Sequence, residues 1–157
     1  MRRGPLLALL ASLALSAGLV ACGAAGPVAL RWGEASCRHC HMTLADQRFG
    51  AEVITTRGRA LPFDDAGCAA NHLTSGETPE TEVSSVWVID YTHPGTLIPA
   101  DSAVFVRSPA FLTPMGSGVV ATPDSAAARA LAGAHSGTLL SWGEVLATAR
   151  AGGLGPS

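Results

Sequence analysis

The chain has 157 residues, with 10 Lys+Arg against 12 Asp+Glu and a formal net charge of −2. That length suits one compact domain or two very small ones. Mild acidity with scattered arginines excludes the basic footprint of a nucleic-acid binder. No apolar run beyond the N-terminus reaches the ~18 residues of a membrane-spanning helix.

The N-terminus reads as a targeting segment. Arg2 and Arg3 precede an apolar run from Pro5 to Leu19, which ends in Leu19-Val20-Ala21-Cys22. A basic start, a short apolar stretch and small residues at a cut mark an export signal. The cysteine at the cut resembles a bacterial lipobox. Residues 1–21 are therefore expected to be a lipoprotein signal peptide, with Cys22 as the lipidation site and membrane anchor. Residues 22–36 would be a flexible tether, and the protein would sit lipid-anchored in the cell envelope, facing the periplasm or outer side. Of the 4 cysteines, Cys37, Cys40 and Cys68 then remain. An odd number in an oxidising compartment leaves one thiol free or bound to metal.

In chain order, Val28 to Trp32 is expected as a short first strand. Cys37-Arg38-His39-Cys40-His41-Met42 follows. Phe49 to Thr56 and Arg59 to Phe63 read as a hairpin around Arg57-Gly58. Asp64 and Asp65 are expected to cap a helix running to about Leu73. Thr74 to Thr81 is a loop, and Val83 to Tyr91 the strongest strand pattern in the chain. Leu97-Ile98 and Ala103 to Val106 are short runs. Thr113 to Gly118 is a turn-rich loop carrying Met115, and Val119 to Ala121 is a strand. Thr122 is expected to cap a helix with Pro123 at its first position, running to about Ala134. Leu139 to Trp142 reads as a strand, Gly143 to Ala149 as a helix and 151–157 as a disordered tail. Each half thus has a methionine, then strand, an Asp-opened helix and strand. The fold class expected is α+β, two similar small strand-strand-helix-strand units forming one compact domain over 37–150.

The chemistry concentrates at Cys37 to Met42. Thiolates and thioethers are soft ligands that select Cu(I), while imidazole suits several metals. A Cys-x-x-Cys is also compatible with a redox pair, which wants a strand before it and a helix after it. As half of a zinc site it needs a second pair, and Cys68 with His72, one helical turn apart, would supply it. Met42 serves only the copper reading. Met115, fixed between Pro114 and Gly116, is a second thioether candidate, and His39 or His41, flanking Cys40, an imidazole candidate. Cys68 and His72 otherwise read as a buried small residue and a helix-end histidine. No nucleophile–base pair or phosphate-binding loop is present, so a non-enzymatic role is expected.

Cys37-x-x-Cys40-x-Met42, Phe49, Phe63-Asp64-Asp65-x-Gly67-Cys68, Val88-x-Asp90-Tyr91, Ala100-x-x-Ala103-x-x-Val106 and Thr113-Pro114-Met115-Gly116-Ser117-Gly118 together resemble the NosL family, in order and spacing. These are lipid-anchored copper accessory proteins of nitrous oxide reductase. The resemblance spans roughly Cys37 to Trp142. It implies two related α+β units, Cu(I) as the bound metal and delivery to an acceptor cuproprotein or assembly complex in the envelope. By position, Cys40 and Met42 match the family's Cys-x-Met ligands. Cys37 matches a common cysteine, and Met115 with a histidine would be additional ligands. The family usually has glycine where this chain has His41.

Overall fold

A computed structural model describes residues 26–155. The expected signal peptide and the lipidation site Cys22 lie outside the described residues. The first unit consists of β1 (Ala51–Thr55), β2 (Ala60–Phe63), α1 (Ala66–Ser75) and β3 (Val83–Ile89), extended by β4 (Leu97–Pro99). The second consists of β5 (Val104–Arg107), β6 (Val119–Thr122), α2 (Ser125–His135) and β7 (Thr138–Leu140), followed by α3 (Trp142–Arg150). Both sheets are antiparallel, and in each the first strand sits between the second and third: β2-β1-β3-β4 and β6-β5-β7. The doubled strand-strand-helix-strand plan expected from the sequence is the plan of the fold.

The units share one core. Val53, Phe63 and Val88 of the first pack in the same cluster as Phe105, Val119 and Val145 of the second. The sheets touch where Tyr91 donates its N–H to Ala121 O at 2.9 Å, beside a parallel bridge between Asp90 and Ala121. Helix α1 runs through this core with Ala66 to His72 all buried. Its small residues permit that approach: a Cβ added to Gly67 would stand 2.4 Å from Ser117 Cβ.

Several boundaries differ from expectation. Val28 to Trp32 forms no strand. Its tie to the sheet is Val28 N–H donating to Glu52 Oε2 at 2.7 Å, a side-chain contact that satisfies a buried carboxylate instead of extending a ladder. Thr122 is not the cap of α2. It closes β6, its hydroxyl donating to Val104 O at 2.9 Å. Asp124 caps instead, because its Oδ1 accepts from both Ala126 N and Ala127 N, at 2.8 and 2.9 Å. Asp65 is the cap of α1, whereas Asp64 is not; its carboxyl is buried beside Cys37. Strand β7 stops at Leu140, because Ser141 and Glu144 form a capping box that starts α3 at Trp142. The tail expected to be disordered is packed as far as it is described. Leu154 is 1% exposed and part of the core, while residues 156 and 157 lie outside the described residues.

Candidate metal centre

The cysteine motif is held as a tight loop before β1. Ser36 and Thr43 form an antiparallel bridge. Within it, Cys37 N–H donates to Met42 O at 2.8 Å and His41 N–H to Cys37 O at 3.1 Å. Arg38 N–H bonds Pro62 O at 2.8 Å, which pins the loop to the edge strand β2. The closure requires φ of 63° at His41, the left-handed region that glycine enters without penalty. The family's usual glycine at this place thus has a structural reason, and histidine here keeps the same turn at a cost.

The loop delivers Cys37 and Cys40 to Cys68, which projects from the first turn of α1. The three sulfurs lie within 4.8 Å of one another, and all three cysteines are free. Cys37 and Cys68 are fully buried, whereas Cys40 is half-buried at the edge. The thiol of Cys68 donates to Cys37, and the backbone N–H groups of Cys40, Asp64 and His39 face the same sulfur. Against the cost of burial, these donors bring the Cys37 thiol from its usual 9.0 down to about 5. Cys68 is pushed the other way, since its proton is held against Cys37 and burial disfavours its charge. Burial also raises Cys40. Cys37 is therefore the most readily ionised of the three thiols. Burial, the Cys37 charge and the carboxylates of Asp65 and Asp46 push Asp64 up to about 6.

Asp65 joins the pocket to the second unit. Its Oδ1 accepts from Cys68 N at 2.7 Å, and its Oδ2 accepts from Met115 N at 3.3 Å and Ser117 Oγ at 3.2 Å. The fully buried carboxylate thus sets the start of α1, and with it Cys68, while holding the Met115 loop across that helix end. Met115 is half-buried against the core. Met42 is 50% exposed and His41 is exposed, both on the outer side of the loop.

The alternative zinc set of Cys37, Cys40, Cys68 and His72 is not gathered as one group. The three sulfurs gather, but His72 joins His39 and Glu77 in a separate group. Sequence reading grouped Cys68 with Cys37 and Cys40 only in the zinc alternative, weighed His39 only as a neighbour of Cys40, and missed Glu77. One signal for Cys68 was available: it stands three residues after a capping aspartate, so the cap fixes where its side chain starts.

The family model for NosL matches residues 27–149. The chain belongs to the NosL family. The crystal structure of the copper chaperone NosL from Shewanella denitrificans shares the fold, with a TM-score of 0.62 over 75% of this chain and 96% of that one, at 20% identity. A comparison with curated proteins gives no match. Family membership spans both units of this NosL chain, and the thiol pocket lies within the matched residues.

Proposed function

We propose that this NosL protein is an envelope lipoprotein that takes up Cu(I) as cargo and passes it to an exported cuproenzyme, nitrous oxide reductase or another. The gathering of the Cys37, Cys40 and Cys68 sulfurs within 4.8 Å of one another is the observation that carries the reading. Soft sulfur ligands select Cu(I) over harder ions. The ion binds Cys40 and Met42 at the accessible edge, with Cys37 as the adjacent thiolate and Met115 or His41 completing the set. Cys40 releases its proton on binding and recovers one on transfer, so loading is favoured as pH rises. Because Met42 is half exposed, an acceptor's sulfur can replace it first and leave copper bound to protein throughout the exchange. A lipid on Cys22 would hold the carrier at the membrane.

The test is titration of the reduced full-length chain with Cu(I) against a chromophoric chelator, with Zn(II) in parallel. One tight Cu(I) with weaker Zn(II) is expected. Met42→Ala should weaken Cu(I) by at least about tenfold, or 1.4 kcal/mol, and Cys40→Ser by more, with the fold intact by circular dichroism. Equal affinity in Met42→Ala would remove the thioether from the site; no Cu(I) binding in the wild type would defeat the carrier reading.

A further inference from the structure

Beside the thiol pocket, His39, His72 and Glu77 bring one ligand atom each within 4.8 Å of one another. The copper reading uses none of these atoms. His72 is fully buried; its Nε2 pairs with Thr78 Oγ1 at 2.8 Å, while its Nδ1 has no hydrogen-bond partner among the described residues. His39, its side chain 10% exposed, has both ring nitrogens buried and likewise unpartnered. The Glu77 carboxylate turns one oxygen toward each ring, Oε1 3.9 Å from His39 Nδ1 and Oε2 3.6 Å from His72 Nδ1. Those separations are too long for hydrogen bonds. Buried polar nitrogens are ordinarily paired, and two of these three, His39 Nδ1 and His72 Nδ1, stand open toward one carboxylate, which calls for an ion among them.

We propose that His39, His72 and Glu77 form a second metal site, separate from the thiol pocket, which takes Zn(II) through two imidazole nitrogens and one carboxylate oxygen. The pairing of His72 Nε2 with Thr78 is the outer-shell contact that fixes a ligating imidazole with its other nitrogen bare. Two protein atoms on one tetrahedral zinc stand about 3.4 Å apart. The 3.6 and 3.9 Å run to different oxygens of Glu77 and the three ligand atoms lie within 4.8 Å of one another, so rotation of the Glu77 carboxylate and a slight approach of the rings would bring one oxygen and both nitrogens to that spacing. Glu77, half exposed in the loop after α1, is free to make it and leaves an open side for water or a fourth ligand. Nitrogen and carboxylate donors suit a borderline divalent ion better than Cu(I), so the two sites hold different metals.

The site does not depend on the copper reading, and the experiment separates them. The full-length chain, saturated with Cu(I), is dialysed against Zn(II) and assayed for both metals, beside Glu77→Gln treated alike. The wild type should keep one zinc beyond its copper. Glu77→Gln should hold that zinc at least about tenfold more weakly with unchanged copper, and His39→Asn should repeat the loss from a different element. No extra zinc in the wild type, or equal zinc in Glu77→Gln, overturns the site. If the chain takes no Cu(I), the copper reading falls by itself. The second site is then read with Co(II) in Cys40→Ser. Weak ligand-field bands that disappear on adding Glu77→Gln sustain it. A thiolate charge-transfer band as the sole signal overturns it.

Discussion

His41 and Cys37 set the properties of the pocket at the scale of single residues. A left-handed backbone costs a residue with a Cβ ~1–2 kcal/mol, and part of that returns as lost chain freedom when glycine replaces it. His41→Gly should therefore stabilise the metal-free chain by about 1 kcal/mol in urea unfolding. The same variant decides whether His41 binds copper, since unchanged Cu(I) affinity removes it from the ligand set. Cys37 makes a pH prediction. Its pKa in the fold, about 5, lies below its usual 9.0, so the unfolded chain binds the extra proton between those values. Stability from this group is complete above pH 9.0 and is lost as pH falls toward 5. Asp64 works in the opposite sense. Raised from 3.8 to about 6, it contributes stability below 3.8 that disappears as pH rises through 6. Above pH 6 only the cysteine effect remains of the two. The reduced, metal-free protein should thus gain stability steadily from about pH 6 to pH 9, and Cys37→Ser should flatten that rise. A wild-type profile already flat over that range would show that Cys37 carries no thiolate there. The motif itself was legible because its ligand types are adjacent in sequence. The approach of Cys68 to Cys37 was not, because it exists only once α1 has docked.

Secondary elements place these residues, and Asp65 is the element-scale hinge of the arrangement. One carboxylate starts α1 at Cys68 and holds Met115 and Ser117 from the other unit. Replacing it with alanine removes a helix cap and leaves the part-buried Met115 N–H and the buried Ser117 hydroxyl without this acceptor. Together these should cost about 3 kcal/mol. Asp65→Ala should lower the urea midpoint accordingly and broaden the NMR resonances of Met115 to Gly118. A sharp, unshifted loop would mean that the turn hydrogen bonds of Thr113 with Ser117 and Gly118 suffice to hold it. Element types were readable where local chemistry decides them: the hairpin around Gly58, the aspartate-opened helices, the strand Val83–Ile89. Errors fell where two local solutions competed. Thr122 and Asp124 both suit a cap, and Asp124 wins by accepting two N–H groups. Trp142 suits a strand, but the Ser141–Glu144 box claims it for α3.

At the scale of the whole molecule, the two units are joined through a shared core rather than through a continuous sheet. The duplicated plan was visible in the sequence as repeated order, yet its closure depends on residues that read as a loose tail. Leu154 fills the shared core, and Gly155 lies against the Met115 loop so closely that a Cβ there would stand 2.5 Å from Met115 O. Arg107 Nη2 donates to Gly153 O, fastening the same segment to β5. Glycine and small residues gave no periodic signal, so composition suggested disorder where shape complementarity gives packing. Leu154→Ala leaves a void that the surrounding side chains only partly fill, a change that costs about 3 kcal/mol in a well-packed core. The loss should appear as a lower urea midpoint with an unchanged slope, because the folded surface is otherwise the same. It should come with faster amide exchange at Gly116 and Ser117, since the loop loses the segment that covers it. Because Cys37, Cys40 and Cys68 belong to the loop before β1 and to α1, their mutual spacing should persist. Cu(I) affinity would then fall only as far as Met115 contributes to it. A loss of stability below about 1 kcal/mol would show that the tail rests on the core without closing it, and the second unit would then be held to the first by the rest of the shared core, Asp65 and the Tyr91–Ala121 contact.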